Sequence, residues 1–274
     1  MSEYNYQMLQ SCLRSYGSVA VAFSGGVDST FLLQAAVDIL GKDHVLALTA
    51  FVDAMPQREK DEAEAFCQKR GIRQIPCAVD VFTIQGFAEN PPDRCYHCKR
   101  ALFQTFLEVA HRHGITTVVE GSNLDDEGDY RPGMRAIAEL QIESPLRKAG
   151  LTKQQIRTLS KEMGLPTWDK PSFACLASRF AYGEPITKER LAMVETAEQI
   201  LFSMGFAQFR VRVHGQGSGT VARIELPPEE FGRLMADENR RLVYEQLQQL
   251  GFSYVTLDLK GYRMGSMNEM IEKK

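Results

Sequence analysis

The first two-thirds of the chain alternate between short apolar runs and longer segments with apolar residues at helical spacing. The short runs predict four buried β-strands, at residues 18–23, 45–50, 75–79 and 116–119. The longer segments are each followed by a glycine and predict four helices, at residues 28–40, 57–70, 99–113 and 152–163. Buried strands that alternate with helices indicate an α/β fold with a parallel sheet covered on both faces.

The pattern changes after about residue 180. Apolar and polar residues alternate at 208–213 and 220–226, on either side of a glycine-rich loop, which predicts a β-hairpin. The remaining segments predict two helices and a last strand, at residues 187–204, 228–250 and 254–259. We therefore expect two domains, a larger α/β domain over residues 1–182 and a smaller α+β domain over residues 183–274.

The composition is typical of a globular protein that binds neither nucleic acid nor membranes. The 274 residues are 44% hydrophobic and 24% charged, as in an ordinary globular protein, and 32 Lys and Arg against 35 Asp and Glu give a net charge of −3. A nucleic-acid partner is disfavoured because nucleic-acid-binding proteins usually carry a basic excess. Since no apolar run is long enough to span a membrane and no signal-peptide pattern is present, we expect a cytoplasmic protein with no membrane partner.

A glycine-containing segment joins the first predicted strand to the first predicted helix. Its residues are Ser24, Gly25, Gly26, Val27, Asp28, Ser29 and Thr30. The glycines let the backbone approach a ligand closely, and the free N–H groups of the helix that follows favour an anion. Asp28 adds a negative charge, which is explained if Mg²⁺ bridges its carboxylate to a phosphate. The segment matches neither the Walker P-loop nor the dinucleotide-binding motif.

Three cysteines suggest a metal site. Cys95 and Cys98 have a spacing at which two thiolates can share one metal, and Cys175 lies far downstream. Three thiolates leave one coordination position open, which suits Zn²⁺ or a [4Fe–4S] cluster. A purely structural zinc site and a redox pair of Cys95 and Cys98 are the alternatives. The other cysteines are expected to be packing residues, namely Cys12, Cys67 and Cys77.

Polar residues at two further places are candidates for ligand contact. Asp126 and Glu127 follow the strand predicted at 116–119, and ligands bind at the carboxyl ends of parallel strands, so these acids are candidates for Mg²⁺ or nucleotide contact. Arg210 and Arg212 lie two apart on a predicted strand and share a face, and paired guanidiniums suit a phosphate. The simpler alternatives are a solvated loop and an exposed strand face.

Together these segments resemble the LarE family of ATP-dependent sulfur transferases, which are PP-loop ATP pyrophosphatases. The matching segments cover nearly the whole chain, at 24–30, 95–99, 126–133, 178–183, 210–212, 222–227 and 254–258. The resemblance implies a five-stranded parallel sheet of the adenine nucleotide alpha hydrolase type, which binds ATP and Mg²⁺. It implies ATP contacts from Ser24, Gly25, Gly26, Val27, Asp28, Ser29, Asp126 and Glu127, and a Mg²⁺ ligand in Asp28.

The resemblance also implies a reaction. A carboxylate of a pyridinium-3,5-dicarboxylate mononucleotide becomes an adenylate, and sulfur then displaces AMP, in the biosynthesis of the nickel-pincer nucleotide cofactor. Members of the family with three cysteines hold a [4Fe–4S] cluster that delivers sulfide, and this chain has all three, Cys95, Cys98 and Cys175. An external sulfide source is then required as a partner, and the sequence does not specify it.

Further roles follow from the same resemblance. Lys99 would act in catalysis by neutralising an oxygen of the adenylate, together with the three cysteines. Arg210 and Arg212 would bind the phosphate of the substrate. Glu198 and Glu225 match acids of the family and are candidate metal ligands. The family forms homo-oligomers, so we expect one here.

Three alternatives stay open. A family member that sacrifices its own sulfur would need only Cys175, which becomes dehydroalanine. A PP-loop tRNA thiolase can combine the same loop with a three-cysteine cluster, but it needs a basic face for RNA. A non-enzymatic nucleotide-binding protein with a structural zinc would release no pyrophosphate.

Overall fold

The computed structural model describes residues 2–126, 132–172 and 174–267, which form two compact units. The first unit comprises Met1–Ile84 and Asp93–Phe173, and the second comprises Gln85–Pro92 and Ala174–Lys274. No helix in these described ranges is both long and apolar enough to cross a membrane. The predicted domain ranges, 1–182 and 183–274, stay a prediction.

The first unit contains a parallel sheet with strand order β3-β2-β1-β4. The strands are β1 (Val19–Ala22), β2 (Val45–Phe51), β3 (Gln74–Ala78) and β4 (Val118–Val119). The helices are α1 (Ser2–Tyr16), α2 (Val27–Leu40), α3 (Gln57–Arg70), α4 (Arg94–Arg112), α5 (Pro132–Glu139), α6 (Pro145–Lys148) and α7 (Lys153–Glu162). The predicted α/β fold is confirmed.

The sheet has four strands among the described residues instead of the five expected. A single parallel bridge between Val119 and Glu143 stands where a fifth strand would pair with β4. The pairing does not extend because Pro145 begins α6 two residues later, and proline at the first helical position favours a helix over a strand.

Helix α2 is the centre of the first unit. Ten of its 14 residues are buried, from Val27 to Val37, and its fully buried side chains include Phe31, Leu32 and Leu33. A helix that is apolar on all sides must be covered on all sides. Here β1 and β2 cover one side, and α1 and α7 cover the other. This packing fixes the position of the N-terminus of α2 and of the loop that precedes it.

The second unit contains a mixed sheet with strand order β5-β6-β7. Its strands are β5 (Arg210–His214), β6 (Val221–Glu225) and β7 (Tyr254–Leu257), and its helices are α8 (Lys188–Ser203), α9 (Phe231–Met235) and α10 (Asp237–Gln249). The β5–β6 pair is the predicted antiparallel hairpin, and β7 runs parallel to β6.

The helix predicted at 228–250 is interrupted. A 3₁₀ turn at Pro228–Glu230 precedes α9, and Ala236 then adopts an extended backbone, with φ −55° and ψ 136°, between α9 and α10. Asp237 and Glu238 follow in the first turn of α10, where negative charge is favourable at a helix N-terminus. The prediction of one continuous helix was therefore wrong.

Replacing the buried Phe31 by alanine tests the importance of α2. Phe31 is fully buried in the main core, so Phe31→Ala should cost about 3–5 kcal/mol in the free energy of unfolding. Phe202→Ala is the matched control because Phe202 on α8 is 41% exposed, and it should cost less than about 1 kcal/mol. Urea unfolding followed by circular dichroism measures both. Equal losses in the two variants would contradict this description of the core.

Candidate functional site

The loop between β1 and α2 is held in shape by its own hydroxyl groups. The Oγ atoms of Ser24 and Ser29 lie 3.1 Å apart, and Ser29 Oγ also donates to the carbonyl of Gly26 at 3.3 Å. Gly25 has a φ of +71°, which lies in the left-handed region that glycine adopts without strain. Within the described residues no side chain caps α2 at Gly26, so the first N–H groups of the helix are available to an anion.

Gly121, which follows β4, allows close packing against this loop. A Cβ atom at Gly121 would lie 3.1 Å from the backbone nitrogen of Ser29 and 3.2 Å from the carbonyl carbon of Asp28. These distances are tighter than ordinary van der Waals contacts. The segment after β4 therefore reaches the first turn of α2 only because residue 121 has no side chain.

Asp28 is partnered by a lysine and an amide. Lys153 Nζ lies 2.5 Å from Asp28 Oδ2, and Asn123 Nδ2 donates to Asp28 Oδ1 at 3.3 Å. The ammonium group of Lys153 compensates a carboxylate placed where anions are to bind. A carboxylate oxygen is a suitable Mg²⁺ ligand, so Asp28 has the chemistry predicted for it. Lys153 was not predicted, and its only signal was its place after the helix-capping Thr152.

The acidic loop after β4 is partly described. Asp126 Oδ2 accepts from the backbone nitrogen of Asn123 at 2.9 Å, so this carboxylate stabilises the turn that also positions the Asn123 amide. Glu127 lies outside the described residues. The predicted ATP or Mg²⁺ contacts of Asp126 and Glu127 stay predictions.

Cys95 and Cys98 lie inside a helix rather than before one. Helix α4 begins at Arg94, five residues earlier than predicted, because Tyr96 is buried and its hydroxyl donates to Glu139 at 2.7 Å. The spacing of three residues puts both thiols on one face, one turn apart. Both cysteines are half-buried, and Arg94 Nη2 lies 3.6 Å from Cys95 Sγ.

Lys99 follows this pair and lies against α5. A Cβ atom at Gly133 would come within 2.5 Å of Lys99 Cδ, so the glycine makes room for the lysine side chain. Lys99 is half-buried, which restricts where its ammonium group can reach. Its predicted part in catalysis stays a prediction.

Cys175 is exposed and belongs to the second unit. It precedes a 3₁₀ turn at Leu176–Arg179, and the guanidinium of Arg179 anchors its backbone. Arg179 Nη1 donates to the carbonyls of Ala174 at 2.6 Å and of Cys175 at 3.0 Å. Cys175 is thus exposed to solvent, while the hydrogen bond from Arg179 holds its backbone in place.

Arg179 and Glu198 form a buried ion pair beneath that segment. Arg179 is fully buried and donates to both carboxylate oxygens of Glu198 at 2.8 Å. Burial favours the neutral carboxyl and raises the pKa of Glu198. The charge and hydrogen bonds of the Arg179 guanidinium outweigh this effect, so the pKa lies below that of a free glutamate. The pair is bidentate, the geometry in which an arginine–carboxylate bond is strongest.

Arg210 and Arg212 are buried rather than on an exposed strand face. Arg212 Nη2 donates to Glu225 Oε2 at 2.8 Å, and its Nη1 donates to the carbonyl of Ser178 at 2.9 Å. Burial, with repulsion from Arg179, lowers the pKa of Arg210 to about 10. Arg179, Arg210 and Arg212 are thus all buried in the second unit, with Glu198 and Glu225 buried beside them.

The carboxylates predicted as metal ligands have arginine partners in the structure. Glu198 is paired with Arg179 and Glu225 with Arg212, and the metal ligation predicted for the two carboxylates stays a prediction. In the described parts of the chain, no group of three or more His, Cys, Asp or Glu side chains could hold a metal ion.

Comparison with known proteins places this geometry in a family. The PP-loop domain family matches residues 2–129. The chain is 38% identical over 265 residues to the pyridinium-3,5-bisthiocarboxylic acid mononucleotide synthase of Lactiplantibacillus plantarum, covering 97% of this chain and 94% of that protein. The chain belongs to the LarE family. This LarE-family chain is also 38% identical over its full length to the uncharacterized protein slr1717 of Synechocystis sp..

A thiolase relative matches less of the chain. The tRNA-specific 2-thiouridylase MnmA of Desulforamulus reducens is 28% identical over 200 residues, which covers 56% of this chain and 52% of that protein. The LarE-type match, by contrast, extends through both units.

Adding a methyl group at Gly121 tests the close approach to the loop. Gly121→Ala should weaken ATP binding by about tenfold because the Cβ atom pushes the first turn of α2 out of place. Gly232→Ala is the matched control, since no atom lies within 4 Å of a Cβ at that helical position, and it should bind ATP as the wild type does. Isothermal titration calorimetry measures both affinities. Unchanged ATP binding in Gly121→Ala would refute the packing argument.

The lowered pKa of Glu198 predicts how stability depends on pH. The unfolded chain takes up this proton more readily than the folded chain, so the contribution of Glu198 is complete above about pH 4.3 and is lost as pH falls through its folded pKa. Urea unfolding between about pH 6 and pH 3 should show a shallower pH dependence in Glu198→Gln than in the wild type. Identical slopes in the two proteins would show that the ion pair does not control acid stability.

Proposed function

We propose that this LarE-family protein is an ATP-dependent sulfur transferase that converts the carboxylates of pyridinium-3,5-dicarboxylate mononucleotide to thiocarboxylates, for nickel-pincer nucleotide cofactor biosynthesis. The observation that carries the proposal is the 38% identity, over nearly the whole chain, to a synthase whose name gives the dithio product. The uncapped N-terminus of α2, preceded by Gly25 and Gly26, supplies the nucleotide phosphate site that such a reaction needs.

The first chemical step activates a poor electrophile. A carboxylate oxygen of the substrate attacks the α-phosphorus of ATP, pyrophosphate leaves, and an acyl adenylate forms. The backbone N–H groups of the PP-loop would hold the departing pyrophosphate, and Asp28 would hold Mg²⁺ beside it. A metal at Asp28 would release Lys153 from its ion pair, so that a second positive charge becomes available to the phosphates.

The buried arginines supply the site for the substrate phosphate. Arg210 and Arg212 are the proposed phosphate ligands, and Arg179 adds to the positive charge around them. A phosphate dianion would neutralise guanidiniums that burial otherwise makes costly to keep charged. Recognition at the phosphate, remote from the reacting carboxylate, orients the pyridinium ring for adenylation.

The second step replaces oxygen by sulfur. A sulfur nucleophile attacks the acyl carbon of the adenylate, the electron pair of the C–O bond leaves with AMP, and a thiocarboxylate remains. Lys99 is proposed to stabilise the negative charge that develops on the acyl oxygen. Two such rounds convert both carboxylates of the substrate.

Three thiols form the proposed sulfur-delivery site. The donor set fits a [4Fe–4S] cluster in its chemistry, because Cys95 and Cys98 share a helix face, Cys175 is exposed, and none of the three is in a disulfide. When bound, such a cluster has one iron without a protein ligand, and this iron would supply the sulfide. We further propose a cytoplasmic homo-oligomer, since free thiols and a labile cluster need a reducing compartment.

Anaerobic metal analysis tests the sulfur-delivery site. The wild-type protein purified without oxygen should contain about four irons and about four acid-labile sulfides per chain, and the Cys95→Ala, Cys98→Ala and Cys175→Ala variants should lose both. Cys67→Ala is the control, because Cys67 is a buried packing residue and its replacement should leave the iron content unchanged.

The activity assay is run on the same samples. Incubation with Mg·ATP, sulfide and the dicarboxylate mononucleotide should give the thiocarboxylate, by mass spectrometry, with release of pyrophosphate. Zinc in place of iron, with no pyrophosphate, would point to a structural site and overturn the proposal. Turnover limited to one sulfur per chain, with Cys175 converted to dehydroalanine, would replace cluster delivery with sacrificial donation.

A further inference from the structure

Lys170, in the segment that follows α7, contacts the PP-loop. Lys170 Nζ donates to the carbonyl of Gly25 at 3.1 Å and lies 2.7 Å from a carboxylate oxygen of each of Glu59 and Glu62 on α3. The mechanism above assigns Lys170 no part. Its three contacts use all three N–H groups of the ammonium, so the side chain has one defined position.

The contact at Gly25 fixes the direction of a neighbouring N–H group. The carbonyl of Gly25 and the N–H of Gly26 belong to one planar trans peptide, so they point in opposite directions. A peptide between two glycines can rotate with little steric cost because neither residue has a side chain. The bond from Lys170 holds this peptide in one orientation, with the Gly26 N–H directed away from the ammonium group.

The lysine is itself held firmly. Its side chain is only 14% exposed and that of Glu59 only 8%, so their bond is shielded from water. The second partner, Glu62, is 47% exposed. On the backbone, Arg157 of α7 donates to the carbonyl of Trp168 at 2.7 Å and to that of Lys170 at 3.0 Å. Both ends of the lysine are thus tied to the first unit.

We infer that Lys170 is a positioning residue for the ATP site, which holds the Gly25–Gly26 peptide so that its N–H faces the bound phosphates. The inference rests on the proposed function insofar as it takes the PP-loop to bind ATP.

The test compares Lys170→Met with Lys170→Arg and with Lys161→Met. Lys161 is the matched control, since it lies over the ring of Trp168, 4.6 Å from the centroid, in the same part of the molecule. Lys170→Met should raise the dissociation constant and the KM for ATP about tenfold, with a much smaller change in kcat and in the KM for the pyridinium substrate. Lys170→Arg should recover most of the ATP affinity, and Lys161→Met should match the wild type.

A fourth variant covers the case in which Lys170→Met does not fold. Glu62→Gln leaves the lysine in place, alters only its exposed partner, and should raise the dissociation constant for ATP by a smaller factor in the same direction. ATP binding at wild-type affinity in Lys170→Met, or in Glu62→Gln where Lys170→Met does not fold, would overturn the inference. A wild-type protein that binds no ATP would instead overturn the proposed function, so the two failures are distinguishable by calorimetry.

Discussion

The burial of α2 is the constraint on which the first unit depends. A helix covered by the sheet on one side and by α1 and α7 on the other cannot shift or rotate without exposing Phe31 and its neighbours. Its N-terminus is therefore fixed in space, and an uncapped, fixed N-terminus is a rigid anion site. The features around it serve this end: Gly121 permits close packing, Lys153 balances Asp28, and Lys170 holds the Gly25 carbonyl.

The second unit achieves a comparable rigidity with buried charge. Arg179, Arg210 and Arg212 would be costly to bury alone, and Glu198 and Glu225 compensate two of them. Burial lowers the pKa of both Arg210 and Arg212, so each of them is costly to keep charged in this interior. Arg179 also bonds the backbone at Ala174 and Cys175, so the charged interior and the exposed thiol are parts of one hydrogen-bonded arrangement.

The sequence predicted those features that depend on local patterns. Strand and helix periodicity located β2 and α3 almost to the residue, and the glycines located the PP-loop. Helix α4 began earlier than predicted because its first turn is stabilised by a distant partner, Glu139, which periodicity does not reveal. The break between α9 and α10 was not predicted, because neither proline nor glycine marks it at Ala236.

Contacts between distant residues were the least predictable part of the site. Arg210 and Arg212 were recognised as a pair, but their burial follows from the β5–β6 register and from Glu198 on α8. Lys170 and Gly25 are 145 residues apart, and no local pattern connects them. The types of residue in the site could therefore be predicted from the sequence. The ion pairs that compensate their charges could be identified only from the folded structure.

In the proposed reaction a substrate carboxylate attacks the α-phosphorus of ATP. Turnover of substrate whose carboxylates carry heavy oxygen tests this step directly, because the attacking oxygen stays with AMP when sulfur displaces it. We expect one labelled oxygen in each AMP and none in pyrophosphate, by mass spectrometry. Label in inorganic phosphate, or unlabelled AMP beside thiocarboxylate product, would contradict adenylation of the carboxylate.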